Sequence, residues 1–256
     1  MRIMSLMYHD VRPKASESQT GADRVEDWYA LTPDGFSSHL DAIATSPLTP
    51  SVVTDGGGPD RLFLTFDDGE ISAIDTVAPM LERRGWRGHF FVVSSWIGKP
   101  GFLTDEDLRA LVSRGHIVGG HGHMHPIMTE LDEPAIRDEW RMSREILEEI
   151  LGQAVTVASV PTGHYTAPIG RLAIEAGYRQ LFTSEPWLKP RPLLSGTIYG
   201  RFMVRRGTTA ESVAAFCSFS RPVLARQRLA WETRKVLKTT MGKHYEGFRR
   251  AVIARL

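Results

Sequence analysis

Short apolar runs alternate with amphipathic stretches along most of the chain. Arg2–Tyr8 reads as a strand that ends in Tyr8-His9-Asp10, and the polar stretch 12–27 predicts a long loop over one mouth of the fold. Thr32 opens a helix through Phe36, Leu40 and Ile43, with Asp34 and Gly35 in its first turn. After a Gly-Gly-Gly-Pro turn at 56–59, the run Leu62-Phe63-Leu64-Thr65-Phe66 predicts a buried strand closed by Asp67, Asp68 and Gly69. A helix around Val77–Arg84 leads into a strand over Gly88–Val93. Thr104 caps a helix over Asp105–Arg114, and Asp107 at the third helical position completes a capping box. Ile117 and Val118 enter a further strand. Ile136, Trp140, Ser143, Leu147, Ile150 and Leu151 recur at helical spacing as a core-facing stripe. A strand over Val155–Val160, a helix over Ile169–Ala176 and a strand over Arg179–Thr183 continue the alternation.

Strand and helix in strict turn predict a mainly parallel sheet or barrel with helices outside. Such folds carry their chemistry at the carboxyl ends of the strands, where Asp67, Asp68, His121, His125 and the segment Pro161–His164 all fall. His9 and Asp10 end the first strand and line the same mouth.

Two adjacent carboxylates in a dry cleft cannot both stay ionised without help, because each raises the pKa of the other. A bound cation resolves the conflict and points to metal-assisted acid–base chemistry. The segment Gly119-Gly120-His121-Gly122-His123-Met124-His125-Pro126 supplies imidazoles at a strand end, where the glycines and Pro126 favour a turn over a helix. A catalytic zinc keeps three protein ligands and one open position, and Asp68, His121 and His125 make up such a set.

These residues resemble the first two motifs of the polysaccharide deacetylases, the NodB-homology group of carbohydrate esterases: Thr65-Phe66-Asp67-Asp68-Gly69 and His121-Gly122-His123-Met124-His125-Pro126. The resemblance covers roughly residues 3 to 215 and implies a distorted (β/α) barrel. It implies that Asp67 is the general base, that Asp68, His121 and His125 hold Zn2+ or another divalent transition metal, and that His123 occupies a variable position. The later motifs depart from the family pattern. Ser159 stands where an arginine that braces the base is expected, two residues before Pro161, and Arg201 lies where a histidine acting as general acid is expected. The Pro-x-Gly turn is retained, so the N–H near Thr162 is the candidate oxyanion donor and His164 the candidate acid. By analogy to the fourth motif, Trp187 forms one wall of the sugar pocket, with Pro161 and His9 as further substrate contacts.

The implied activity is removal of an acetyl group from an N-acetylated sugar. Two alternatives stand beside it. One is hydrolysis of another amide C–N bond in a small non-sugar substrate; the other is a non-catalytic glycan-binding protein derived from a deacetylase. Zinc suits two imidazoles and a carboxylate, although nickel, cobalt and iron accept the same donors.

Composition narrows the setting. The 256 residues suit one domain with an appendage, and 42% apolar with 24% charged residues is ordinary for a globular chain. The single cysteine excludes an intramolecular disulfide. No apolar targeting region or membrane-length run is read at the start of the chain, so the expected location is cytoplasmic. Residues 221–256 hold ten Lys and Arg against two Glu, a net +8 on a chain of total +1, which leaves residues 1–220 at −7. Tyr245, Phe248, Val252, Ile253 and Leu256 share one helical face with Lys243, Arg249, Arg250 and Arg255 around it. This extension is read as a basic helical tail that either docks on the domain, 1–220, or meets anionic lipid. A lipid-linked or nucleotide-linked glycan precursor at the inner membrane face is the expected substrate. No nucleic-acid motif accompanies the charge.

Overall fold

Parallel strands joined by helices build one curved sheet in the computed structural model, which describes residues 1–13, 28–55, 58 and 60–241. The strands are β1 Arg2–Tyr8, β2 Asp60–Phe66, β3 His89–Val92, β4 Ile117–Gly120, β5 Val157–Ser159, β6 Gln180–Phe182, β7 Arg191–Leu193, β8 Gly196–Tyr199 and β9 Phe202–Met203. The helices are α1 Pro33–Ala44, α2 Ala78–Glu82, α3 Asp105–Ser113, α4 Glu133–Leu151, α5 Ala167–Glu175, α6 Ala210–Cys217 and α7 Arg221–Met241. Local chemistry sets their starts. Thr32 caps α1, Thr104 and Asp107 close a capping box on α3, and Asp132 caps α4.

The sheet order is β7-β8-β6-β5-β4-β3-β2-β1-β9, and only β7 pairs antiparallel. Two residues, Gly200 and Arg201, join β8 to β9, yet these strands stand near opposite ends of that order. So short a connection requires the sheet to curl until its ends meet. The segment after β6 fills the seam, with the Arg201 N–H on the Glu185 carbonyl at 3.0 Å and the Ile3 N–H on the Leu188 carbonyl at 2.7 Å. The result is the expected distorted barrel.

Alternation of side chains along each strand sorts the barrel from the surrounding core. Ile3, Phe63, Phe91, Val157, Phe182 and Tyr199 point inward and form a separate apolar plug. His89 belongs to that layer. Its Nδ1–H donates to the Leu64 carbonyl (3.1 Å) and its Nε2 accepts the Val53 N–H (2.9 Å), which ties the loop before β2 across the barrel floor. One register step higher the inward positions turn polar: Ser5, Thr65, Ser159 and Arg201 are all fully buried. Another step brings Asp67 and His121. The outward positions, such as Met4, Leu6, Leu64, Phe66 and Phe90, pack with Phe36, Leu81, Leu108, Trp140 and Leu172 of the helices.

Some elements differ from the sequence reading. A π segment, Ala73–Val77, precedes α2, and the strand expected over Val155–Val160 shortens to Val157–Ser159. Strands β7, β8 and β9 were not expected, because runs of two to four residues are too short to display periodicity, and the eight-residue helix α6 was not singled out either. Val223 and Leu224 of α7 pack on the main core, and the Gln227 side chain donates to the Met203 carbonyl. The apolar stripe Tyr245–Leu256 lies outside the described residues, as does most of the loop 12–27. Among the described residues no helix is long and apolar enough to cross a membrane.

Candidate metal and catalytic site

At the end of β2 the chain turns sharply. Asp68 and Gly69 both adopt left-handed backbone (φ 76° and 86°), a conformation that costs an aspartate energy and is found where function needs it. The turn leaves Asp67 pointing into the barrel and swings Asp68 toward the histidine loop. At the end of β4 a second turn, with Gly122 at φ 72° and His125 at φ 59°, brings His125 back over His121. The two imidazole centroids are 5.0 Å apart.

Asp68 Oδ1 lies 3.4 Å from His121 Nε2 and 3.5 Å from His125 Nε2. It is buried and has no hydrogen-bond partner among the described residues. One donor atom from each of the three side chains lies within 4.8 Å of the others. Ligands about 2.0–2.1 Å from a tetrahedral zinc stand roughly 3.4 Å from one another. The donor set and its spacing therefore fit such an ion. The other nitrogen of His121 is engaged, with Nδ1 2.6 Å from Ser159 Oγ and 3.1 Å from the Ser159 carbonyl. That contact leaves Nε2 facing Asp68, the usual arrangement of a metal-ligating imidazole.

Electrostatics agree with this arrangement. Burial works against the charged form of Asp68, but His121, His9 and His125 outweigh it and hold the carboxyl well below its usual range. For His121 burial is outweighed in turn by Asp67 and Asp68, so its pKa rises. His125 falls to about 4, through burial first and then through the charge of His121.

Asp67 is held by a residue that sequence reasoning missed. Arg201 Nη1 donates to Asp67 Oδ1 at 2.6 Å and Nη2 to Oδ2 at 2.8 Å. The remaining guanidinium contacts reach the Thr183 carbonyl (3.0 Å) and Thr65 Oγ1 (3.3 Å). Burial pushes Asp67 up, and Arg201 and His121 more than reverse it, so the carboxyl is kept ionised. Reading Ser159 and Arg201 only as departures left Asp67 without a brace, and the structure corrects that. The brace arrives from the strand seam, and Ser159 is small enough to leave room for it, with its Oγ 3.4 Å from Asp67 Oδ1. A usable signal was present: an arginine in a two-residue link between apolar, buried segments needs a carboxylate partner.

His9 joins the same cluster through the inward register of β1. Its Nδ1 is buried without a hydrogen-bond partner among the described residues, its ring lies 4.7 Å from Tyr29, and burial lowers its pKa against the pull of Asp68 and Asp67. His164 is half-buried after the Pro161–Gly163 turn and is not among the groups acting most strongly on Asp67 or Asp68. Pro161 is buried; a Cβ on Gly122 would stand 3.0 Å from its ring, so it packs directly against the histidine turn. Thr162 is exposed and left-handed (φ 59°), the third non-glycine residue of this mouth held in that conformation. Trp187 lies at the seam beside Gly200, under the Arg191 guanidinium at 3.7 Å. The aromatic that does touch a proposed ligand is Trp96, 5.3 Å from His125 and 5.0 Å from Phe102, and the sequence reading did not single it out.

Comparison with known proteins gives consistent results. The polysaccharide deacetylase family model matches residues 55–181. Bacillus subtilis YxkH is 24% identical over 155 residues, 56% of each chain. The peptidoglycan-N-acetylmuramic acid deacetylase PdaA of B. subtilis is 26% identical over 125 residues, 48% of this chain and 46% of its own. The chain spans about half the length of the curated relatives it matches. Among solved structures, the Streptococcus pyogenes deacetylase PplD in complex with acetate superposes with a TM-score of 0.70 at 18% identity, covering 82% of this chain and 96% of PplD. IcaB from Ammonifex degensii gives 0.71 at 21% identity, covering 85% and 97%. These likenesses establish the fold. Asp67, Asp68, His121 and His125 lie inside the matched segment, whereas His9 and Arg201 lie outside it.

Proposed function

Residues 55–181 belong to the polysaccharide deacetylase family, and from that premise we propose that the protein is a metal-dependent hydrolase that removes the acetyl group from an N-acetylated sugar of a glycan or glycan precursor. The observation that carries the reading is the orphaned, buried Asp68 Oδ1 between His121 and His125, beside an Asp67 kept ionised by Arg201.

Asp68, His121 and His125 are the residues that would hold the ion. A zinc there supplies Lewis-acid polarisation of the acetamide carbonyl and a lowered pKa for the attacking water. Asp67, fixed by two hydrogen bonds, accepts the proton of that water. The N–H at Thr162 is the candidate donor to the oxygen that gains charge during attack. The leaving nitrogen must gain a proton as the C–N bond breaks, releasing acetate and a free amino sugar. His9, an imidazole outside the proposed ligand set, feels the charge of both aspartates, and a lowered pKa makes its protonated form a stronger donor. His164 is the other candidate for this step.

The binding-protein alternative rested on the departures at Ser159 and Arg201. Because the two combine into one arrangement around Asp67, they no longer argue against chemistry. A lipid-linked precursor met at the inner membrane face is a further part of the proposal. It rests on the basic segment from Arg221 onward, and flotation with anionic vesicles tests it.

The first test is the metal content of protein purified without chelator, beside His125→Ala. Near one zinc per chain, lost in the variant, is expected. Acetate release from a panel of N-acetylated sugars and small amides follows, with Asp67→Asn as a variant that keeps zinc and loses activity by about a thousandfold. Absence of metal in the unaltered protein, even after zinc is supplied, would retire the mechanism.

A further inference from the structure

One charged residue sits on the buried face of α4 with no ion pair to a cation among the described residues. Glu139 follows Ile136 by three positions and precedes Ser143 by four, and all three are buried. A buried carboxylate is costly unless hydrogen bonds satisfy it. Its Oε2 accepts the N–H of His123 at 2.7 Å and the N–H of Met124 at 2.9 Å. Both amides belong to the turn between the proposed ligands His121 and His125.

That turn does not hold itself. Gly122 has φ 72° and His125 φ 59°, and a non-glycine residue in this region costs roughly 1–3 kcal/mol. A Cβ on Gly122 would stand 3.2 Å from Glu139 Oε2, so the carboxylate is seated directly beneath the turn. On the other side the Ser95 N–H reaches the His123 carbonyl (3.0 Å), the Ser94 N–H reaches the Gly122 carbonyl (3.3 Å), and Ser94 Oγ meets His123 Nδ1 at 2.9 Å. The His123 ring is thereby turned away to Ser94. Helix α4 is itself a firm support, since the Trp140 indole N–H donates to the Ile169 carbonyl and Arg144 Nε to the Val155 carbonyl.

We infer that Glu139 is a positioning residue for the metal centre: its carboxylate clamps the His123 and Met124 amides so that His125 returns over His121 and Asp68. The inference rests on the metal-centre reading above. It assigns to the helix that follows the histidine turn the task of setting metal affinity.

Zinc titration of metal-stripped full-length protein tests it, with a competing chelator to report affinity. In Glu139→Ala the dissociation constant should rise about 10- to 100-fold, the usual effect of losing a partner that orients a ligand. Glu139→Gln keeps an acceptor oxygen and should fall between Glu139→Ala and the unaltered protein, which also guards against a misfolded alanine variant. Glu145→Gln, on the exposed face of α4, should bind zinc normally. Melting of each metal-stripped protein, with and without zinc, separates positioning from bulk stability: positioning predicts a smaller zinc-induced rise. Unchanged zinc affinity in both Glu139 variants, beside an unaltered protein that binds zinc, would overturn the inference alone. No zinc binding by the unaltered protein would overturn the metal-centre reading and this inference with it.

Discussion

Arg201 and Asp67, 134 residues apart in the chain, meet inside the barrel through two parallel hydrogen bonds of 2.6 and 2.8 Å, and both side chains are buried. Removing one member of a buried pair strands the other charge, at a cost of about 3–5 kcal/mol. Arg201→Ala should therefore lower the unfolding free energy by that order and reduce acetate release by at least a hundredfold. Arg201→Lys keeps the charge but not the two-pronged geometry and should fall between. Urea unfolding and acetate release measure the two effects; an alanine variant that folds and turns over normally would remove Arg201 from the site.

Two histidines compete for the proton-donating step, and they differ in surroundings. His9 is half-buried near the aspartates, with a buried Nδ1 that has no hydrogen-bond partner among the described residues, whereas His164 follows the exposed Thr162 turn. His9→Gln should reduce kcat by about 100-fold or more with zinc content unchanged, the range set by general acid–base catalysis. His164→Ala should change kcat by less than about threefold on the same scale. The reverse pattern would transfer the role to His164.

Strand β4 offers a test of how the barrel admits the site. A Cβ on Gly119 would stand 2.5 Å from the Val157 carbonyl oxygen and 2.9 Å from the Phe91 ring. The first of these is backbone and cannot rotate away. Gly119→Ala should destabilise by about 2 kcal/mol or more through overpacking, and the displaced β4 should weaken zinc binding through His121. Thermal melting and zinc titration check both effects.

The barrel floor predicts a pH dependence. Burial lowers His89 to about 4, and its two hydrogen bonds require the neutral ring, since Nε2 must accept the Val53 N–H. The folded pKa lies below the unfolded value of about 6.5, so the unfolded state takes up the proton first as pH falls. The stabilisation is fully present above about pH 6.5 and is lost progressively down to about pH 4, roughly 3 kcal/mol in all. His89→Gln should flatten stability across that window. Urea unfolding at pH 7 and pH 4.5 for both proteins measures the difference, and equal slopes would contradict the assignment.

Much of this molecule was legible in local pattern. The alternating strand and helix runs come from periodicities of two and 3.6 residues, and the Thr104–Asp107 capping box from residues three apart, all of them local properties. Asp67-Asp68-Gly69 and the His121–His125 loop are likewise contiguous, so their chemistry could be read before their geometry. The short strands β7 to β9 were hidden because two to four residues carry no period, and with them went the meaning of Arg201.

The sequence by itself determined the strand–helix alternation, the Asp and His donor set and its position at strand ends, because each is written within a few neighbouring residues. Only the tertiary structure decided that Arg201 braces Asp67, that His9 feels the charge of both aspartates and that Glu139 carries the histidine turn. Those partners come from the seam, the first strand and an outer helix. Their meeting depends on how far the sheet curls and how its strands stagger, which no local stretch of the chain specifies.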